Sequence, residues 1–275
     1  MTETKQLPIL AFDTSTAAMS AAIRQGEQTL GEIHSLAERN HSVHIIVHLK
    51  QLLEQCGVKG QDLGAIAVGN GPGSYTGMRI AVAAAKTLAW VWKKPLIGIS
   101  SLEALAYGGI HQRNDSKTTA GVHWVLPIMD ARRGQVYTAG FAMNAEGVWS
   151  RFAHDGVRLM KDWVDTIAEL LAGEGAEAGG QNPSAISICG DLTLHEAEAL
   201  RLKQLCAEAG IAAEVLLQPY ELEGRWVAEL GQQRLIAGQF DDTHTFTPNY
   251  TQLTEAEVKL KEKLAEQAKR AEETK

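Results

Sequence analysis

The amino-acid sequence predicts an α/β fold made of two similar halves, each a mixed sheet with helices on its faces. Three observations predict it. Short apolar runs bounded by turn residues alternate with stripes of helical period. The order of these elements occurs twice along the chain. In each half the first strand ends on an acid, Ala11-Phe12-Asp13 and Ile128-Met129-Asp130, and a turn and a returning strand follow. Such a string packs as sheets covered by helices.

In the first half, strands are expected over 7–12, 19–24 and 29–35, with Gln25-Gly26-Glu27 turning the second hairpin. An amphipathic helix follows over 42–56. Its stripe of Ile45, Ile46, Leu49, Leu52, Leu53 and Cys56 returns every three or four residues, and Gly57 ends it. A strand over 65–69, a glycine-rich turn, a helix over 75–92 and a strand over 96–99 complete the order βββαβαβ. The second half has strands over 124–130, 135–142 and 148–154, then a helix over 162–172. A strand over 185–189, a helix over 194–209, a strand over 214–217 and a helix over 224–237 follow. Residue identity between the halves is weak, so the repeat is one of structure and not a solenoid period. Gly108-Gly109 and Asn114-Asp115-Ser116 place a hinge at 107–121, and 173–183 reads as a loop. Over 255–275 acids and bases alternate around Leu260, Leu264 and Ala268, the pattern of a docking helix that frays at its end.

The bulk numbers exclude several classes. With 45% hydrophobic and 21% charged residues, 275 residues can bury one large core or two smaller ones. No stretch approaches the roughly 18 apolar residues that a bilayer span needs. The start, Met1 to Gln6, is polar and does not lead into an apolar signal segment, so a cytoplasmic location is expected. Cys56, Cys189 and Cys206 are odd in number and form no C-x-x-C pair, which argues for core packing over disulfides or zinc. The net charge of −7 argues against direct, tight binding of nucleic acid, which needs clustered Lys and Arg.

Two segments are distinctive: Phe12-Asp13-Thr14-Ser15-Thr16 at the end of the first strand, and Gly69-Asn70-Gly71-Pro72-Gly73-Ser74-Tyr75-Thr76-Gly77-Met78-Arg79 opening the second helix. Together they resemble the TsaB (YeaZ) family. The resemblance continues through 94–105 and through Pro127-Ile128-Met129-Asp130-Ala131-Arg132-Arg133-Gly134-Gln135-Val136-Tyr137. Beyond about residue 150 it rests on the pattern of elements and a faint match at Pro248-Asn249-Tyr250.

The resemblance implies the actin-like ATPase fold (ASKHA, ribonuclease H-like), with two duplicated βββαβαβα subdomains. They would span 1–108 and 109–244, with 245–275 a helical tail packing back on the first. It implies a non-catalytic partner of TsaD, which transfers threonylcarbamoyl to an adenosine of tRNA, in a complex that includes the ATPase TsaE. ATP or ADP and metal would then sit on partner subunits, with no intrinsic cofactor. Transfer RNA would be met only through the complex, and the chain alone would form a homodimer. TsaD-like proteins carry His-x-x-x-His where this chain has Ser101 and Leu105, and leucine cannot ligate a metal.

Each motif also has a plainer reading. The glycine-rich turn could approach phosphate, but it lacks the Lys-Ser/Thr of a P-loop and the third glycine of a dinucleotide fingerprint. Asp13, Thr14, Ser15, Gly71 and Gly73 are therefore weak cofactor candidates, and Asp13 reads best as a turn acid capping local N–H groups. The second half's Asp130-Ala131-Arg132-Arg133 puts bulky side chains where phosphate-gripping loops favour small ones. His41, His44 and His48 line one strip of the first helix, yet without a convergent ligand set they read as polar residues at the edge of a buried interface.

By the resemblance, the first two helices form the pairing face, with Ile45, His48, Leu49, Leu52, Gly77, Ala81, Ala84 and Leu88 as its residues. On that basis Gly77→Leu is expected to abolish pairing and leave the monomer folded. The rival expectation is an actin-like ATPase, kinase or metal-dependent peptidase acting alone.

Overall fold

The computed structural model describes residues 6–36, 41–112, 121–173 and 182–251, with the side chains of 41–44 outside the description. The first half runs β1 (Ile9–Asp13), β2 (Ala18–Gln25), β3 (Gln28–Leu36), α1 (His41–Gln55), β4 (Ala65–Gly69), α2 (Tyr75–Trp92), β5 (Leu96–Ile99) and α3 (Ser101–His111). The second half runs β6 (His123–Asp130), β7 (Gln135–Met143), β8 (Trp149–Leu159), α4 (Met160–Ala172), β9 (Ala185–Gly190), α5 (Glu196–Glu208), β10 (Glu214–Pro219) and α6 (Gly224–Ile236). Both follow βββαβαβα. Their sheets share one topology, β3-β2-β1-β4-β5 and, written the other way round, β10-β9-β6-β7-β8. In each sheet the first two pairings are antiparallel meander contacts and the rest are parallel crossovers.

The period of two in the strands sorts residues between two cores. Leu10 and Phe12 of β1 and Ile66 and Val68 of β4 face outward onto α1 and α2. Ile9, Ala11, Ala65 and Ala67, one position out of step, face inward. The inward set is small for a reason. Helix α6 packs on that face, and a Cβ at Gly231 would lie 2.6 Å from the Cβ of Ala67.

The helices are exchanged between halves. Helix α6 ends the second half yet packs on β1, β2, β4 and β5, while α3 ends the first half and packs on β6, β7 and β9. The molecule therefore has five layers: α1 with α2, the first sheet, α3 with α6, the second sheet, and α4 with α5.

Helix α2 begins at a Ser74 cap whose Oγ accepts the Gly77 N–H at 3.3 Å. It stops at Lys93, in the left-handed region at φ 54°. The described start of the hinge expected over 107–121 is helix, because α3 runs through Gly108-Gly109 to His111; Asn114-Asp115-Ser116 lie outside the described residues. Those glycines serve packing. A Cβ at Gly108 would stand 2.4 Å from the Tyr220 hydroxyl, and one at Gly109 would stand 2.9 Å from Cys189 Sγ. Strand β8 continues five residues past its expected end, to Leu159, with register shifts around Gly140 in its partner β7. The helix expected over 255–275 lies outside the described residues. The segment before it does not: Phe246 enters the outer core of the first lobe against Gly98, and Lys86 Nζ donates to the carbonyls of His244 and Phe246.

Candidate functional site

The carboxyl ends of β1, β4 and β5 meet the two chain turns singled out above. Asp13, at the end of β1, is fully buried. Its Oδ1 accepts the Ser15 N–H and the Ser15 hydroxyl, each at 2.6 Å, and its Oδ2 accepts the Ser101 hydroxyl at 2.5 Å. Ser101 Oγ in turn accepts the Gly71 N–H at 3.0 Å. One acid thus ties the first turn, the glycine-rich turn and the start of α3 together. Burial pushes the Asp13 carboxyl above its ordinary value, and the bonds from Ser101 and Ser15 oppose that shift.

The glycines are dictated by this closeness. A Cβ at Gly69 would fall 1.6 Å from Asp13 Oδ2, and one at Gly73 would fall 2.4 Å from the Ser15 carbonyl. At Gly77 a Cβ would fall 1.8 Å from the Thr14 carbonyl, while the Thr14 hydroxyl donates to the Gly77 carbonyl at 2.6 Å. The amides of Gly71, Ser74 and Gly77, which a phosphate-binding turn would offer to its ligand, are bonded to Ser101, Ser15 and Ser74. The structure thus brings Asp13, Thr14, Ser15, Gly71 and Gly73 together: Asp13 bonds Ser15 and Ser101, Thr14 bonds Gly77, Gly71 bonds Ser101, and Gly73 lies close against Ser15.

Across from this knot, β6 ends at Asp130, whose Oδ1 lies 3.0 Å from Nε2 of the buried His195. The following turn holds Arg132, Arg133 and Gly134 at φ 65°, 55° and 72°, three left-handed residues in a row. Between the two sides lies an open cleft of ≈1540 Å³, walled by Ser15, Thr76, Leu105, Asp130, Arg132 and Asp191 among others. The Asp130–His195 pair and the Asp13–Ser101 bond carry no sequence signal, because their partners lie 65 and 88 residues apart. Among the described residues no three His, Cys, Asp or Glu side chains converge as a metal site requires. The thiol of the buried Cys189 is pushed up to about 12 by burial, which leaves it inert as a nucleophile.

The expected pairing residues divide by placement. Ile45, Leu49, Leu52, Gly77 and Ala81 are buried against the protein's own first sheet, so they are not on a surface. His48, Ala84 and Leu88 are half-buried. The outward face of this helical layer carries Ile46, Val47, Ala83, Thr87, Trp90 and Val91 instead, with Trp90 68% exposed. The side chains of His41 and His44 lie outside the described residues.

The same architecture recurs in known proteins. A family model described as TsaD, tRNA N6-adenosine threonylcarbamoyltransferase, matches residues 20–260. A Bacillus subtilis protein named tRNA threonylcarbamoyladenosine biosynthesis protein TsaB is 33% identical over 92% of this chain and 97% of its own. The chain belongs to the TsaB (YeaZ) family. Among solved structures, YeaZ from Pseudomonas aeruginosa superposes with a TM-score of 0.64 at 20% identity, covering 89% of this chain and all of that one. The ROK hexokinase of Thermus thermophilus superposes with a TM-score of 0.51 at 12% identity, over 84% of this chain and all of the kinase. The fold is therefore that of the actin-like ATPases. Among the described residues no helix is long and apolar enough to cross a membrane.

Proposed function

We propose that this chain is a non-catalytic partner of a TsaD-type transferase in the making of threonylcarbamoyladenosine in tRNA. Its family carries the process, since the relative matched over nearly its whole length bears that name. The observation that carries the non-catalytic role is the closed state of Asp13. A carboxylate that accepts three hydrogen bonds from its own chain and has no exposed surface is turned inward, away from any cation in the cleft. Ser101 and Leu105, in place of the His pair that TsaD-like proteins resembling this chain carry, support the same reading. ATP, ADP and metal belong on the TsaD-like subunit and a TsaE-like ATPase, and tRNA is met only through the complex, in keeping with the chain's net charge of −7.

The partner face is the outward side of α1 and α2, with Ile46, Val47 and Trp90 as its apolar anchors and the half-buried His48, Ala84 and Leu88 beside them. In the absence of TsaD a second copy takes the same face. Pairing acts by differential binding: a partner that fits only the productive conformer of TsaD raises that conformer's population.

Reconstituted tRNA modification with and without this chain tests the role, and Ala83→Arg tests the face. Ala83 is exposed on α2, so the variant should keep the wild-type melting temperature and lose co-elution with TsaD. Full pairing by a folded Ala83→Arg protein would remove the face. Undiminished modification without the chain would remove the role. One observation favours the rival, a lone ATPase, kinase or peptidase: the cleft is open and large. Stoichiometric metal in the purified chain, or ATP hydrolysis by it alone, would establish that rival.

A further inference from the structure

The two sheets face each other across α3 and α6, and both open edges between them are tied. On the β5–β8 edge, Glu103 at the start of α3 accepts Arg234 Nη2 of α6 at 2.9 Å and Arg151 Nη2 of β8 at 3.5 Å. Arg151 also pairs with Asp155. Asp155 Oδ2 accepts Asn249 Nδ2 at 3.0 Å, and the Asn249 N–H donates to the Asn70 carbonyl at 2.8 Å. A continuous polar path therefore runs from the glycine-rich turn of the first lobe to the edge strand of the second. The Glu103 and Asp155 side chains are only 15% and 10% exposed, so these pairs are screened less than ordinary surface pairs.

On the opposite edge, His34 of β3 lies 2.7 Å from Glu221, and Glu32 of β3 accepts the Arg225 N–H at 3.2 Å. The crossover from β10 to α6 is itself fixed. Tyr220 and Leu222 are buried, Trp226 Nε1 donates to the Tyr220 hydroxyl at 2.6 Å, and a Cβ at Gly224 would lie 2.4 Å from the Ala21 backbone. Between the edges, the Tyr107 hydroxyl of α3 donates to Glu229 of α6 at 3.0 Å, and the Tyr107 ring meets Trp149 of β8 edge-on at 5.4 Å.

We propose that these ties hold the cleft at one fixed gape, so that the protein is a rigid two-lobed body and not a clamp that closes on a ligand. Hinge closure needs a few residues free to absorb backbone rotation, or helices free to slide. Here the described crossover is packed on β2, and the layer that would slide is the largest apolar cluster among the described residues. Rotation that closes the cleft about one edge must stretch the bonds at the other. Lobe motion is the ordinary expectation unless the interface is large and hydrophobic, and here both lobes share one buried apolar cluster that includes Ile9 and Ala67 of the first sheet and Val125 and Phe141 of the second. A partner on the first lobe thus meets the second at a constant angle.

The test is a distance measurement by pulsed electron paramagnetic resonance. Spin labels go on Gln51→Cys and Lys203→Cys, exposed positions on α1 and α5, in a Cys56→Ser background; Cys189 and Cys206 are buried. The proposal expects one narrow distance that moves by less than about 2 Å when Mg-ATP or Mg-ADP is added. Glu103→Ala with Asp155→Ala should broaden it. If that pair fails to fold by circular dichroism, Asn249→Ala should broaden it by a smaller amount. Two distances in the wild type, or a larger shift on adding either nucleotide, would overturn the fixed gape. An unbroadened distance in a folded variant would overturn the role of the ties.

Discussion

Gly77→Ala should cost about 2–4 kcal/mol of stability, from one methyl group. A Cβ there would stand 1.8 Å from the Thr14 carbonyl oxygen, more than an ångström inside any contact that side chains make. The obstacle is backbone, so no rotamer relieves it. Nor can the Thr14 turn retreat freely, because the Thr14 hydroxyl is bonded to the Gly77 carbonyl and the Ser15 carbonyl holds the Ser74 N–H at 2.7 Å. Overpacking of this kind costs roughly 1–3 kcal/mol, and the loss of the buried Thr14 bond adds about 1 kcal/mol. Urea unfolding at 25 °C, followed by circular dichroism, reads the sum as a lowered midpoint at unchanged slope. The exposed Gly147, where a Cβ meets nothing within 4 Å, gives the control: Gly147→Ala pays only for its φ of 78°, about 1–2 kcal/mol. Were Gly77→Ala to unfold within 0.5 kcal/mol of wild type, on the order of measurement error, the contact between α2 and the Thr14 turn would not be as described. The same contact means that Gly77→Leu damages the fold itself, contrary to the expectation that it spares the monomer.

Three further outcomes follow from named groups. The folded-state value of the Asp13 carboxyl is raised above the unfolded 3.8, so the native state binds that proton more tightly, and its contribution is lost as pH rises from 3.8 through the folded value. Asp13→Asn should therefore gain on wild type as pH rises from the unfolded 3.8 through the folded value and hold that gain above it; melting curves parallel from below 3.8 to neutral pH would contradict the burial described for it. Arg133→Gly, at a left-handed position with φ 55°, should raise stability by roughly 0.5–1 kcal/mol in urea titrations, and a loss would show that the Arg133 side chain does more than endure strain. Lys86→Met keeps the stem and removes the donors to the carbonyls of His244 and Phe246, so limited proteolysis should cut near 240–251 several-fold faster than in wild type. An unchanged cutting rate would free that segment's position from Lys86.

Much of the fold was legible because the periods are clean. The stripe through Ile45, Leu49 and Leu52 placed α1, and the short apolar runs at 7–12 and 65–69 placed two strands, whereas their sorting between two cores needed the fold, since both runs are apolar at every position from Ile9 to Phe12 and Ala65 to Val68. What escaped were contacts between distant residues. Gly108-Gly109 read as a break, since only the fold shows Tyr220, Trp226 and Cys189 pressing on that helix. The small residues Gly77 and Ala81 were expected on the pairing face, but a small-residue strip does not say whether its neighbour is the same chain or another; the structure turns both inward. Asp13 as a turn acid was readable from the Ser15 spacing, whereas its bond to Ser101 needed three strands to converge first.

The exchange of α3 and α6 bears on how the chain is born. Emerging from the ribosome, the first sheet has α1 and α2 for one side within a hundred residues, but its other side waits for Gly224–Ile236. Until then Ile9, Ala11, Ala65 and Ala67 stay wet, and the nascent half is a target for holding chaperones. A fragment that stops after α3 would carry an uncovered sheet and an orphan helix, so cutting the gene at the middle should give two insoluble products that become soluble when co-expressed.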